Sequence, residues 1–278
     1  MAKNSKPGIR PFLKWAGNKY RIMHQVERML PQGKRLVEPF VGSGAVFLNT
    51  QFDDYLLCDS NRDLIDLFNL LKRRGRKFIN ECELFFKDKN NNEAQYYKFR
   101  ERFNTIDDRQ ERAALFVYLN RHGYNGLCRY NSKGGYNVPF GRYKRPYFPT
   151  TELELFRKKA KQASFKHLPF EKAFTQLQAG DVVYCDPPYL PLSDSANFTS
   201  YSAGGFSMEQ QHELAELAIR HSQNGIPVLI SNHHTPFTDE FYAAAQMEYF
   251  HVQRYISQDG KNRNKAGEVL ALFSLNQL

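Results

Sequence analysis

The sequence predicts an α/β fold: a doubly wound sheet with an inserted, mostly helical domain that carries a β-hairpin. Three observations support this class. Short apolar runs alternate with amphipathic helical runs in residues 1–61 and 150–278, as in chains that form parallel sheets. Residues 62–119 have helical periodicity without this alternation. A Gly-Gly pair at 134–135 lies between β-prone flanks and predicts the tip of a hairpin.

The charge distribution follows the same division into a main domain, residues 1–61 and 150–278, and an insertion, residues 62–149. The insertion has 19 Lys and Arg against 10 Asp and Glu, whereas residues 1–61 have 9 against 5 and residues 150–278 have 11 against 14. Most of the net charge of +10 therefore lies in the insertion. This indicates a polyanionic partner such as nucleic acid, and a basic face kept for solubility is the alternative.

The composition argues against several classes of protein. The four cysteines are scattered and form no CxxC pair, which favours a reducing compartment and argues against a structural zinc site. No stretch approaches the length of a membrane span, and the first residues lack the apolar core of a signal peptide. We therefore expect a cytoplasmic protein without a membrane partner.

In the first part of the chain, a strand and a Gly-containing turn are followed by a second strand and an acid. The turn contains Gly42 and Gly44, which allow a ligand to approach the backbone closely. Asp59 lies 21 residues after Glu38, about where a nucleoside-binding fold places a carboxylate on ribose hydroxyls. The full GxGxxG is absent, so this Rossmann-like order suits a nucleoside without a pyrophosphate. The predicted elements are a helix over Tyr20–Met29, a strand over Leu36–Phe40, the start of a helix at Val46 and a strand over Tyr55–Cys58.

The insertion is predicted to begin with three helices, over Leu64–Leu71, Ala94–Phe103 and Arg109–Leu119. The stretch that follows has no Asp or Glu between Arg112 and Thr151. Between Arg121 and Tyr147 it has five tyrosines and six Lys or Arg. Arg and Asn are side chains that hydrogen-bond to base edges, and Lys and Tyr contact phosphates. We therefore favour a DNA-contacting hairpin over an exposed basic hairpin with structural tyrosines.

After the insertion the strand and helix alternation returns. A polar loop over residues 190–205 is long enough to be a lid, and a basic loop over 260–265 joins the last two strands. The predicted elements are helices over Thr151–Ala163, Glu171–Leu177 and Met208–His221, strands over Ser164–His167, Val182–Cys185 and Pro227–Asn232, and an antiparallel pair formed by Phe250–Ile256 and Val269–Leu275.

The residues Asp186-Pro187-Pro188-Tyr189, here called the DPPY corner, follow the strand over Val182–Cys185. The two prolines fix φ twice and donate no backbone N–H. A carboxylate and a backbone carbonyl can therefore hold the amino group of a flat base that stacks on Tyr189. Gripping both N–H bonds of adenine or cytosine favours a pyramidal nitrogen, which is ready to accept a methyl group from an in-line sulfonium. The alternative is a Pro-rich turn with Asp as its cap.

The motifs FLKWAGNK at 12–19, EPFVGSG at 38–44 and DPPY, with a basic insertion between the last two, resemble the Dam family of DNA adenine methyltransferases. The order is that of their α group, and NRHGYNGLCRYN at 120–131 and NVPFGRYKRPYFP at 137–149 extend the similarity over most of the chain. The resemblance implies a Rossmann-like catalytic domain that moves a methyl group from S-adenosylmethionine to the N6 of an adenine flipped out of GATC in double-stranded DNA. S-adenosylhomocysteine would be the product. No metal is expected, and we expect a monomer in the cytoplasm, associated with the nucleoid, of a bacterial or phage host.

The resemblance also implies roles for individual residues. Catalysis falls to Asp186, Pro187 through its carbonyl, and Tyr189. The cofactor would be contacted by Trp15, Lys19, Glu38, Gly42, Gly44, Asp59 and Asp186. DNA would be contacted by Lys14, Tyr124, Asn125, Leu127, Arg129, Pro139 and Tyr143. One departure is Asn18, which stands where the family often has a second Gly, and the backbone there is expected to be less permissive.

Four rival functions use the same features. The DPPY corner also suits the amino group of cytosine. Methylation of RNA or of a protein glutamine would use the corner but not the hairpin. A DNA-binding regulator without turnover would keep the fold, although the presence of Glu38, Asp59 and Asp186 argues against it.

Overall fold

The computed structural model describes residues 8–189, 206–253 and 265–275. The predicted lid loop and most of the predicted basic loop at 260–265 lie outside these ranges. The chain forms two compact units. The first comprises Met1–Gln25, Val41–Gln51 and Asn61–His167, and the second comprises Val26–Phe40, Phe52–Ser60 and Leu168–Leu278.

The second unit is built on a sheet whose central strands are buried on both faces. Every residue of the two central strands, β4 Asp181–Cys185 and β5 Val228–His233, is buried, as expected for parallel strands covered on both sides. The strands of this unit are β1 Arg35–Glu38, β2 Asp54–Asp59, β4 Asp181–Cys185, β5 Val228–His233, β6 Gln246–Gln253 and β7 Lys265–Phe273. They lie in the order β2-β1-β4-β5-β7-β6. All six were predicted, although β6 begins at Gln246 and not at the predicted Phe250. The predicted α/β class is confirmed.

The order of the strands reverses at β1. The chain passes from β1 to β2 on one side, whereas β4 pairs with β1 on the other side, and all of these pairings are parallel. Val37 lies opposite Val183, and Val183 lies opposite Val228. The carboxyl ends of the strands are therefore aligned at a topological switch point, where open α/β sheets bind ligands. Strand β7 closes this arrangement by pairing antiparallel to both β5 and β6.

The helices of the second unit cover an apolar core formed by β1, β2, β4, β5 and β7. Ser207 caps the long helix α9, Met208–Gln223, with a capping box. The predicted helix over Glu171–Leu177 is wrong at its carboxyl end, because α8 ends at Phe174. The Asp181 carboxylate accepts from the Gln178 N–H at 2.7 Å and forms a turn there. The α-helices beginning in or near this unit are α1 Met23–Met29, α8 Phe170–Phe174, α9 Met208–Gln223 and α10 Pro236–Phe241.

The first unit is mainly helical, with helix α6 at its centre. Residues 113–120 of α6 are all buried, because α3, α4 and α5 pack around it. A second core is aromatic: Phe68 and Phe156 lie 4.6 Å apart between ring centres, with Phe12, Phe47 and Phe165 around them. The elements are α2 Ala45–Asn49, α3 Arg62–Arg74, α4 Arg76–Glu83, α5 Glu93–Thr105, α6 Arg109–His122, α7 Thr150–Lys159 and strand β3 Ala163–His167. The helices predicted in residues 61–119 are confirmed.

The predicted hairpin is present as two separate antiparallel bridges, Tyr130 with Tyr136 and Gly123 with Phe140. Its tip lies at Gly134 and Gly135 as predicted, and the Asn131 side chain accepts from the Gly135 N–H at 2.9 Å. Tyr130 anchors the hairpin to the helices, since its hydroxyl donates to the Asp63 carboxylate at 2.7 Å. Arg112 binds the same carboxylate through two nitrogens, at 2.6 and 3.1 Å.

Candidate active site and DNA interface

The sheet of the second unit brings together the acids that the sequence singled out there. Glu38 is the last residue of β1, Asp59 is the last residue of β2, and Asp186 follows β4 directly. Since β2, β1 and β4 are adjacent parallel strands, the three carboxylates lie at one edge of the sheet, at the switch point. Glu38 is only 2% exposed, whereas Asp186 is half-buried.

A fourth acid, Glu268, belongs to this edge and escaped the sequence analysis. It lies on β7 opposite His233 and is 9% exposed. Burial raises the pKa of the Tyr184 phenol well above its usual value, and the negative charges of Asp186, Glu38 and Glu268 raise it further. Such a concentration of negative charge favours a cationic ligand or a donor amino group over an anion.

Cys185 precedes the DPPY corner and is fully buried. Burial raises the pKa of its thiol well above the usual value, and Asp186 and Glu38 add to this effect. The thiol therefore stays protonated at neutral pH, which fits a small core residue and not a nucleophile.

Strand β5 and helix α9 hold the far end of the DPPY corner. The Tyr189 hydroxyl lies 2.8 Å from the Ser231 hydroxyl, and the Tyr189 ring packs edge-on against His233 with 4.3 Å between ring centres. The Gln211 side chain donates to the Pro188 carbonyl at 2.8 Å. Ser231 and Gln211 were not predicted as site residues, since only the fold brings them to the corner.

In the first unit, the turn that contains Gly42 and Gly44 packs on Trp15. Gly42 has φ of +48°, and a Cβ built there would lie 3.0 Å from the Trp15 indole nitrogen. Gly44 has φ of +74° and caps α2. Both positions therefore require glycine, for conformation and, at Gly42, for space. At Gly42, the group that lies closest to the backbone is the Trp15 indole.

Lys19 and Asn18 stabilise the FLKWAGNK segment. The Lys19 ammonium donates to the Gly17 carbonyl at 2.7 Å, and Lys19 as a whole is 5% exposed. The Asn18 side chain donates to the Ser43 hydroxyl at 2.9 Å and accepts from the Tyr20 N–H at 2.8 Å. Asn18 has φ of −52°, which any residue adopts, so Asn causes no backbone strain at this position.

Three asparagine side chains of the first unit act as backbone clamps: each exchanges two hydrogen bonds with the N–H and C=O of one distant residue. Asn49 clamps Ile9 at 2.7 and 2.9 Å. Asn120 clamps Lys14 at 2.9 and 2.7 Å. Asn104 clamps Tyr136 at 2.8 and 3.1 Å. The first two hold both ends of residues 9–14, and the third holds the hairpin.

Lys14 lies among the residues predicted to contact DNA. Its ammonium is 3.9 Å from the centre of the Tyr143 ring, a cation–π distance. A Cβ built at Gly126 would lie 2.2 Å from the Lys14 Cβ, so the lysine stem rests on that glycine. Burial lowers the pKa of Lys14 to about 8, with a further contribution from the charge of Arg121.

The remaining predicted DNA-contacting residues are presented at the surface of the same unit. Asn125 has φ of +52°, and its N–H donates to the Tyr143 hydroxyl at 3.0 Å. Arg129 is exposed, and its guanidinium donates to the Asn137 side chain at 2.8 Å. The Tyr124 N–H donates to the Pro139 carbonyl at 2.8 Å, while the Tyr124 side chain is 51% exposed.

The backbone of Leu127 is held as well, since the Tyr136 hydroxyl donates to its carbonyl at 3.0 Å. Leu127 itself is half-buried. Tyr143 therefore contacts both Lys14 and Asn125, and the backbone of Tyr124 contacts Pro139 and Leu127. Arg129 contacts Asn137. All seven predicted residues belong to the same unit.

Within the described ranges, no three His, Cys, Asp or Glu side chains are grouped so that they could hold a metal ion. Over the same residues, the helices are all too short or too polar to span a membrane.

Comparison with known proteins identifies the family. The model of the D12 class of N6 adenine-specific DNA methyltransferases matches residues 15–256. Proteins named DNA adenine methylase are similar over 95% of this chain: that of Vibrio cholerae is 50% identical over 266 residues and 96% of its own length, that of Salmonella typhi 51% over 264 residues and 95%, and that of Escherichia coli K12 50% over 264 residues and 95%.

The predicted Dam resemblance is thereby confirmed, and adenine is identified as the base that the DPPY corner alone left open. The chain belongs to the D12 class of N6 adenine-specific DNA methyltransferases and is an enzyme that methylates adenine in DNA.

Proposed function

We propose that this enzyme takes the methyl group from S-adenosylmethionine and transfers it to the N6 of an adenine flipped out of GATC in duplex DNA. The observation that carries the proposal is the alignment of Glu38, Asp59 and Asp186 at the carboxyl ends of adjacent parallel strands, at the switch point of the sheet. S-adenosylmethionine is a nucleoside with a positively charged sulfonium and no phosphate, which suits an acidic edge.

The residues fit this cofactor in chemistry. We expect Asp59, at the end of β2, to accept from ribose hydroxyls. Glu38 and Asp186 supply negative charge at the strand ends. The proposed cofactor contacts also include Trp15, Lys19, Gly42 and Gly44. Because Trp15 packs closely on Gly42, there is no room for a side chain at position 42. When bound, the cofactor supplies an electrophilic methyl group.

At the DPPY corner, the Asp186 carboxylate and the Pro187 carbonyl are proposed to accept one hydrogen bond each from the two N–H groups of the adenine amino group, while Tyr189 stacks on the ring. These two hydrogen bonds turn the nitrogen lone pair out of the ring plane. The protein thus contributes position and charge. After the transfer, N6 carries one proton too many. This proton leaves N6 on the side that faces the Asp186 carboxylate. The adenine must leave the duplex to reach this corner, since pairing buries its amino group.

Residues 62–149 are proposed to be the DNA-reading domain of a monomeric enzyme. Arg129 would bind guanine and Lys14 an outer base of the site. Asn125, Leu127, Pro139 and Tyr143 would contact bases or wedge between them, with Tyr124 beside them. The excess of positive charge over these residues is expected to make binding fall steeply with salt.

The test uses purified enzyme, labelled S-adenosylmethionine and two duplexes that differ only in whether GATC is intact or scrambled. We expect label only on the GATC duplex, N6-methyladenine on digestion, and protection of GATC from a methyl-sensitive nuclease. Equal labelling of both duplexes would reject GATC, and no labelling from this donor would reject the proposed cofactor.

A further inference from the structure

Gln211 is a buried polar residue of the second unit that reaches the DPPY corner. It lies in the first turn of α9, is 0% exposed, and its amide nitrogen donates to the Pro188 carbonyl at 2.8 Å. Its amide oxygen accepts from the Asn232 side chain at 3.0 Å. Gln211 therefore uses both ends of its amide to link α9, β5 and the corner.

Asn232 is itself fixed, which determines the orientation of Gln211. Its nitrogen also lies 3.0 Å from the Tyr242 hydroxyl, and its oxygen accepts from the His233 N–H at 2.8 Å. Asn232 and Tyr242 are both 0% exposed. A buried network in which every amide group has a partner is rigid and costly to break.

The bond from Gln211 acts on the torsion directly before Tyr189, which the prolines do not fix. The rings of Pro187 and Pro188 fix φ at both residues, and ψ of Pro187 is restricted because a proline follows it, so the direction of the chain into Tyr189 depends mainly on ψ of Pro188. Holding the Pro188 carbonyl sets this torsion. Ser231 then holds the Tyr189 hydroxyl at 2.8 Å from the neighbouring position on β5.

We propose that Gln211 is a positioning residue for methyl transfer: by holding the Pro188 carbonyl, it sets the angle between the Tyr189 ring and the Asp186 carboxylate. The inference rests on the proposed role of the DPPY corner. Its effect belongs to the transfer step and not to DNA binding, because Gln211 contacts the corner's backbone from inside the protein. A base held slightly out of line loses rate steeply, about a hundredfold for a displacement of 1 Å.

Gln211→Met keeps the approximate volume and removes both hydrogen bonds. We expect its single-turnover rate of methyl transfer to fall by roughly 10- to 100-fold, with KM for DNA and cofactor within about twofold of the wild type. Gln210→Met is the matched control, since Gln210 belongs to the capping box of the same helix turn. It should lower stability and leave the rate within about twofold. A wild-type rate in Gln211→Met, or an equal loss in both variants, would overturn the proposal.

Gln211→Glu provides a second measurement if Gln211→Met does not fold. It keeps the shape and the acceptor for Asn232, and it can donate to the Pro188 carbonyl only while protonated. Its rate relative to the wild type should therefore fall as pH rises from about 6.5 to about 9, and a constant ratio would contradict the inference. Asp186→Ala, which removes the acceptor oxygens as well as the charge, separates the proposed role of the corner from the role of Gln211. If it transfers methyl groups normally, the proposed corner is wrong; if it is inactive while Gln211→Met is normal, only the role of Gln211 is wrong.

Discussion

The asparagine clamps give a prediction that joins stability to sequence recognition. Asn120→Ala removes the two hydrogen bonds to the backbone of Lys14, at 2.9 and 2.7 Å. Each such bond contributes about 0.5–1.5 kcal/mol, and the Asn120 side chain is 0% exposed, so a small cavity adds to the loss. We expect a total of about 2–4 kcal/mol, or a fall in melting temperature of roughly 5–12 °C.

Asn104→Ala is the matched control, because Asn104 makes the same pair of bonds to Tyr136 in the hairpin, at 2.8 and 3.1 Å. Asn104 is exposed and its loss leaves no buried cavity, so Asn104→Ala should lose less stability than Asn120→Ala. The two variants should also differ in DNA recognition. Loss of the Lys14 clamp should relax the preference for the outer base assigned to Lys14. Loss of the hairpin clamp should relax the preference at the base pair assigned to Arg129.

The assay is competition between the GATC duplex and duplexes with a single base pair changed, with methyl transfer as the signal. If a clamp positions a base-reading side chain, its loss should reduce discrimination at the corresponding base pair by about 1–3 kcal/mol. If both variants lose preference equally at every position, the clamps stabilise the fold and do not position the reading side chains.

Three further predictions concern charge and space. Burial lowers the pKa of His122 to about 4 from an ordinary value of 6.5, so between these pH values the unfolded chain binds a proton that the folded chain does not. The free energy of unfolding should fall by up to about 3 kcal/mol as pH drops from 6.5 to 4. Measured by urea unfolding, this pH dependence should be lost in His122→Gln and kept in His251→Gln, where the histidine is exposed. An equal pH dependence in the two variants would contradict the assignment to His122. Because the pKa of Lys14 is about 8, DNA affinity should weaken between about pH 7 and pH 9 more steeply in the wild type than in Lys14→Arg, and titrations of labelled duplex that give parallel curves would contradict this. Gly42 has a positive φ, and a Cβ there would lie 3.0 Å from Trp15, so Gly42→Ala should weaken cofactor binding at least tenfold, as measured by calorimetry. Gly134→Ala is the control, because a Cβ there would meet nothing within 4 Å, and it should leave the affinity unchanged. Equal affinities in the two variants would show that the Gly42 turn is not part of the proposed cofactor site.

Local sequence patterns were sufficient to predict the strands and the acids that end them. Glu38, Asp59 and Asp186 follow apolar runs directly, and parallel pairing places such ends at one edge. The helices of residues 61–119 and the tip of the hairpin also carry local signals, in periodicity and in the Gly-Gly pair. The individual roles assigned to the site residues remain predictions.

The residues that support these sites could not be predicted, because their partners are distant in the chain. Asn120 and Lys14 are 106 positions apart, and Gln211 and Pro188 are 23 apart. An asparagine within α6 has no local signal that distinguishes a clamp from a surface residue. Glu268 joins the acidic edge only through the register of β7 on β5. The carboxyl end of α8 was mispredicted because the Asp181 side chain, at the start of the next strand, forms the turn.

The central claim is that the Asp186 carboxylate activates the adenine amino group, and Asp186→Asn tests it most directly. The substitution keeps the shape and removes the charge. Methyl transfer is measured in a single turnover with saturating DNA and S-adenosylmethionine, with DNA affinity measured in parallel. We predict a loss of rate of at least about a hundredfold, in line with removal of one preorganised electrostatic contact, and DNA affinity within a few fold. A rate close to that of the wild type would contradict the account.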